Sequence, residues 1–153
     1  MYTLDTAIRE NKEELKQIIT KFKKELNKND FETIYDNIHT FEITWTLTAL
    51  LLKNNINPLK YMNKVPSYFA YGLYIESFEV PNGITNIDNS AFQTSGLKSI
   101  VIPKSVIHID NAVFWGCDRL KDIYYEGSEE DWKNIEIEWG NDLLLKANIH
   151  YNS

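Results

Sequence analysis

Pro81 and Pro103 stand 22 residues apart, and the residues around them recur at the same offset. Ile75-Glu76-Ser77-Phe78-Glu79-Val80-Pro81 is matched by Leu97-Lys98-Ser99-Ile100-Val101-Ile102-Pro103. Shifted by 23, the pattern returns as Leu120-Lys121-Asp122-Ile123-Tyr124-Tyr125. Each copy reads apolar-x-x-apolar-x-apolar. A unit this short has one apolar strip and cannot bury it alone. Copies must stack, each covering the flank of the one before, and the outward residues then line up on a shared face. The expected fold class is α+β, a short solenoid closed at its ends by other elements. A repeated outer face suits binding rather than catalysis.

The period assigns the inward positions. Ile75, Leu97 and Leu120 form one expected ladder; Phe78, Ile100 and Ile123 form the next, followed by Val80, Ile102 and Tyr125. Ile84 is expected under Val106, Ile87 under Ile109, and Phe92 under Phe114, with Phe69 filling that place in the first repeat. Strands at this spacing pair in parallel along the stack. The repeats run over about 66–87 and 88–109, and a third begins at Asp110.

Residues 1–64 carry a different signal. Leu4, Ile8, Leu15, Ile18, Ile19, Phe22 and Leu26 fall on one helical face, which predicts a helix to about Lys28. Asn29 and Glu32 are spaced as a capping box for a second helix bearing Phe31, Ile34, Tyr35 and Ile38. Phe41, Ile43, Trp45 and Leu47 alternate with Glu42, Thr44, Thr46 and Thr48 as a strand would, yet the run exceeds ten residues and continues into helix formers, so a third helix over 41–54 is expected. Asn57-Pro58 begins a short helical turn. Past the repeats, Ser128 to Trp132 has a capping-box start, Ile135 and Ile137 alternate with glutamates, 141–146 reads as a turn of helix, and 148–151 as a closing strand.

The chain carries a net charge of -6, unevenly placed. Residues 1–64 hold ten Lys/Arg against nine Asp/Glu, whereas 65–153 hold six against thirteen. The repeat half should repel nucleic-acid phosphates and anionic membranes and favour a protein partner with a basic surface. Apolar residues at 43% are ample for a packed core. One cysteine, Cys117, excludes an internal disulfide framework. The greasiest run, Ile43 to Leu52, contains three threonines and is too short to span a bilayer. The first fifteen residues hold no apolar stretch of signal-peptide length, so the expected location is the cytoplasm.

The string Ile102-Pro103-Lys104-Ser105-Val106-x-x-Ile109-Asp110-x-Ala112-x-Phe114-x-Gly116-Cys117-x-x-Leu120 resembles the BspA-like leucine-rich repeat. The tail from Tyr124-Tyr125-Glu126-Gly127 to Asn148-Ile149-His150-Tyr151-Asn152 is similar to the terminal module that often follows such repeats. The resemblance covers about 65–152 and implies repeats with a C-terminal cap over 65–153, while the helical periodicity of residues 1–64 makes them a helical N-terminal cap region. It also implies protein or matrix binding, with no catalytic residues and no cofactor to carry over. Many members are long secreted surface proteins, whereas short intracellular relatives occur in bacteria and their phages. The function expected here is a non-enzymatic, intracellular protein-binding module, in one form a phage or mobile-element protein that blocks a host factor. The alternative is a surface or structural protein used in adhesion or assembly.

The candidate partner-binding residues are the outward apolar ones and their neighbours. Glu79, Val101 and Tyr124 recur at the same outward position, Ile107 lies beside them with Thr85, and Trp115 replaces Gln93 of the preceding repeat. Trp115, Tyr124 and Val101 are expected close together, because exposed aromatics in a row are what an interface needs. Cys117 as a nucleophile, with His108 or His150 as base, is the third and weakest reading; a small apolar core residue is the simpler one. His39, His108 and His150 show no metal-ligand spacing, and His108 is expected on the outside of its strand. The acids Glu126, Glu129, Glu130, Asp131, Glu136 and Glu138 lack the pattern of a calcium loop and read as a solvated face.

Overall fold

A computed structural model describes residues 3–153, a mixture of helix and strand. The N-terminal helices are α1 (Leu4–Glu10), α2 (Lys12–Lys21), α3 (Lys23–Asn27), α4 (Phe31–Asp36) and α5 (Phe41–Lys53), followed by a 3₁₀ turn at Pro58–Tyr61. The single helix expected up to Lys28 is therefore broken twice, at Asn11 and Phe22, where ψ opens to 27° and 24°. Unbroken, it would be about 37 Å long, against about 20 Å for α5. The breaks let α1 and α2 both lie on α5. Asn11 secures the first break: its Nδ2 donates to Thr46 Oγ1 of α5 at 3.0 Å and to the Ala7 carbonyl at 3.2 Å. Lys53 at the end of α5 pairs with Asp5 of α1.

The start of α4 also differs from expectation. Asp30, not Asn29, is the cap, accepting from the Thr33 amide at 3.2 Å. Asn29 instead takes a left-handed turn at φ 58°, which asparagine tolerates. The third helix forms as expected. Residues 43–49 are buried on every side, including Thr44, Thr46 and Thr48. Their hydroxyls have partners: Thr44 and Thr48 donate to carbonyls one turn back, and the Tyr35 hydroxyl meets Thr48 Oγ1 at 2.7 Å. Threonine can therefore alternate with apolar residues here without forming a strand.

Beyond the helices come β1 (Lys64–Val65), β2 (Ser77–Glu79), β3 (Asn86–Ile87), β4 (Ser99–Ile102), β5 (His108–Ile109), β6 (Asp122–Tyr125), α6 (Glu129–Lys133), β7 (Glu136–Ile137), α7 (Asp142–Lys146) and β8 (Asn148–His150). They form two parallel sheets, ordered β1-β3-β5-β7 and β2-β4-β6-β8. The register follows the sequence period: Phe78, Ile100, Ile123 and Ile149 are partners, as are Val65, Ile87, Ile109 and Ile137. Ile100, Ile102, Ile123 and Tyr125 are buried, as are Ile84 and Val106, whereas Ile75 and Phe78 at the first repeat are only half covered. Phe92 stacks on Phe114 with centroids 5.8 Å apart, and Phe69 meets Phe92 edge-on at 6.1 Å.

The turns between sheets repeat as closely as the strands do. Tyr68, Ser90 and Ala112 all have φ near +60°, and so do Gly72, Thr94 and Gly116 four residues later. A Cβ on Gly116 would come within 2.8 Å of Thr94 Cγ2, so this corner requires glycine. Turn amides donate to the next repeat, Ala70 to Ala91 and Phe92 to Val113. At the last rung Asn141 Oδ1 takes the carbonyl's place, accepting from the Phe114 amide at 3.1 Å, while its Nδ2 donates to the Asp110 and Glu138 carbonyls. One buried side chain thus ends the turn ladder with its donors and acceptors satisfied. At the other end, Phe41 stacks on Tyr68, Trp45 on Tyr71, and Tyr35 leans on Phe69, which fastens the helices to the first repeat. No described helix is long and apolar enough to cross a membrane.

Candidate functional site

Alternation along a strand sends every second side chain outward. In the β2-β4-β6-β8 sheet those residues are Ser77 and Glu79, Ser99 and Val101, Asp122 and Tyr124, and Asn148 and His150. In-register pairing makes them two rows. Glu79, Val101, Tyr124 and His150 form the upper row, running from an acid through apolar and aromatic groups to an imidazole. Val101 is half-buried and Tyr124 exposed. The Tyr124 and His150 rings stack nearly parallel at 4.8 Å, and His150 Nε2 meets Asp122 Oδ1 at 2.9 Å. Both side chains are thereby held in one orientation, which lowers the entropy lost on docking a partner. At the margin, Glu76 is held below the ordinary carboxylate range by the Tyr74 hydroxyl first and then by Lys98.

The other two candidates lie elsewhere. Ile107 is exposed just before β5, where its amide donates to the Thr85 carbonyl in the other sheet's ladder. Trp115 sits on a turn and borders a hollow with Asn89, Gln93, Asn111 and Trp139. The expectation that Trp115, Val101 and Tyr124 cluster is therefore corrected: only Val101 and Tyr124 share a row. The offset of 22 explains why. Trp115 is the counterpart of Gln93 and Tyr71, a turn position, and in the first repeat Tyr71 is covered by Trp45. Trp139, 69% exposed beside Trp115, is an aromatic that sequence reasoning missed, because it falls outside the repeat pattern.

A protein-family model for the BspA-type leucine-rich repeat region matches residues 63–136 in six copies. Residues 63–136 belong to the BspA-type leucine-rich repeat family. The family is one of protein-interaction or adhesion-type modules and is generally non-enzymatic. Comparison with curated proteins and with solved structures finds no match to the chain. The family match ends at Glu136, whereas the pairing of these leucine-rich repeats continues through β8.

Within the repeats, Cys117 fills the position held by Ser95 and Leu73 one and two repeats earlier. It is fully buried, and its Sγ donates to the Phe92 carbonyl at 3.0 Å with Ser95 Oγ at 3.5 Å. Burial pushes its thiol above the ordinary value, the opposite of what a nucleophile needs. The proposed bases point elsewhere, His150 to Asp122 and His108 to Glu138.

His108 is where the sequence reading was most incomplete. It faces outward, yet β5 and β7 pair His108 with Glu136 in register, and Glu138 follows on the same face. Ligand atoms of His108, Glu136 and Glu138 all lie within 4.8 Å of one another. Spacing along the chain could not suggest this, since the partners are 28 and 30 residues apart. The signal was the alternation around Ile137 combined with one further step of the ladder.

Proposed function

We propose that the chain is a non-enzymatic protein-binding module: a short solenoid whose N-terminal end is covered by the helices of residues 1–64 and whose 65–153 part ends in its own cap. The row Glu79–Val101–Tyr124–His150 is the binding face. The observation that carries the reading is the oriented Tyr124–His150 stack on an otherwise narrow, partly apolar row. Aromatic anchors held in place are the side chains that dominate interface energies. Ile107 and the Trp115 hollow form flanking contacts, each on its own side. The acidic balance of 65–153 favours a basic partner surface by steering its approach. A single buried thiol supports an intracellular setting. The Lys-, Asn- and Ile-rich composition suits an AT-rich genome, and in the phage or mobile-element form of the role the partner is a host factor.

The test is affinity capture from host lysate with the wild-type chain and with Val101→Arg and Tyr124→Ala, each verified folded by circular dichroism. A protein held by the wild type should be released by both variants, Tyr124→Ala weakening its binding by about 1–4 kcal/mol. A protein held equally by all three moves the binding face off this row.

A further inference from the structure

The β1-β3-β5-β7 sheet carries an outward row of Lys64, Asn86, His108 and Glu136, with Asp88, Asp110 and Glu138 two residues further along their strands. Its two ends are charged differently. At the β1 end, acids gather around an ammonium: Lys64 Nζ lies 3.1 Å from Asp36 and 3.9 Å from Asp88. At the β7 end, Glu136, Glu138 and Asp110 gather around no lysine or arginine among the described residues. Among the described residues the only ion-pair contact of the three is Glu138 Oε1 to His108 Nε2, at 3.3 Å. Adjacent strands stand about 4.8 Å apart, so three carboxylates on this small patch repel one another. Asp88 reports the same crowding: burial chiefly, and Asp110 in addition, hold it above the ordinary carboxylate range despite Lys64.

We propose that His108, Glu136 and Glu138 bind a divalent transition-metal ion of the Zn²⁺ class, which does at the β7 end what Lys64 does at the β1 end. The donor set is one imidazole and two carboxylates, the mixture that zinc accepts with a water in the fourth position. Four ligands at 2.0–2.2 Å stand roughly 3.4 Å from one another in a tetrahedron. The His108–Glu138 pair already has that separation. The exposed Glu136 side chain closes the remaining gap by rotation about its own bonds, within the 4.8 Å limit on all three. His108 and Glu138 are 24% and 38% exposed, open to an ion from solution yet partly shielded from it. Calcium and magnesium fit poorly, since they take six or more oxygen ligands or keep most of their water, and imidazole suits neither. The bound ion would join β5 to β7 and clamp the last rung of the sheet.

Calorimetric titration of the tag-free full chain with ZnCl₂ in a non-chelating buffer tests this. One equivalent should bind, and the thermal midpoint should rise with added Zn²⁺. His108→Gln and Glu138→Gln should each weaken binding at least tenfold while leaving the metal-free melting curve nearly unchanged. His150→Gln, at the other exposed imidazole, should bind as the wild type does. Co²⁺ in place of Zn²⁺ should give visible absorption bands that vanish in His108→Gln. The proposal is overturned if no Zn²⁺ binds, if His108→Gln binds as well as the wild type, if His150→Gln abolishes binding, or if Ca²⁺ or Mg²⁺ raises the midpoint as much as Zn²⁺.

Discussion

The helical region and the repeats bury comparable side chains by opposite means. In α1 to α5 the polar contacts between helices follow no period: Asn11 reaches Thr46, Tyr35 reaches Thr48, and Lys53 reaches Asp5. In the repeats the central ladder and turn contacts have copies 22 or 23 residues away, from the Ile100–Ile123 pairing to the left-handed corners at Tyr68, Ser90 and Ala112. A periodic core spreads the consequence of one residue over its neighbours above and below. An aperiodic one concentrates it in single polar contacts. The two meet at the aromatic junction of Trp45 with Tyr71 and Phe41 with Tyr68.

The largest test of that contrast is Phe92→Ala. Phe92 is fully buried between Phe69, Phe78 and Phe114, so its loss should cost about 3–5 kcal/mol in urea unfolding. Far-UV circular dichroism and tryptophan fluorescence should shift together. Separate transitions would show that the helices unfold independently of the repeats and would break the comparison at its junction. That junction itself is measured by a double-mutant cycle on Trp45→Ala and Tyr71→Ala, where a coupling of about 0.5–1.5 kcal/mol is expected for a stacked pair. A coupling near zero would mean that the stack seats nothing.

A third test exploits repetition. Thr94 holds the left-handed corner that Gly72 and Gly116 occupy in the flanking repeats. A left-handed non-glycine residue costs about 1–2 kcal/mol, and glycine's added chain entropy returns about 0.5–1. Thr94→Gly should therefore stabilise by about 1 kcal/mol, read as a higher denaturant midpoint; a lower midpoint would show that the Thr94 side chain packs usefully against Gly116.

The smallest effect at neutral pH comes from one buried acid in each region. Burial raises Tyr35 above its ordinary 10.0 and Cys117 above 9.0. Well below pH 9 both stay protonated, folded or unfolded, and their contribution is complete. As pH climbs, the unfolded chain loses these protons first, so stability falls through the interval between unfolded and folded values. Unfolding midpoints measured from pH 8 upward should decline, and Cys117→Ala should remove the part that begins near 9 while Tyr35→Phe removes the part that begins near 10. A decline equally steep in both variants would assign it to other groups.

What the sequence determined by itself is the repeat region: its inward ladders, its parallel register, the helical nature of α5, the core place of Cys117 and the shared row of Glu79, Val101 and Tyr124. Period and alternation are local properties, and stacking merely repeats them, so reading along the chain is enough. Tertiary structure alone decided the rest. It broke the first helix at Asn11, because a straight rod would overrun the short surface of α5. It ended the turn ladder on Asn141, a residue that reads only as a helix start until the rung it satisfies is present. It separated Trp115 from Tyr124 and set it beside Trp139. It brought His108 to Glu136 and Glu138, because a parallel ladder joins residues that lie some thirty positions apart in the chain and only adjacent strands can measure that distance in ångströms.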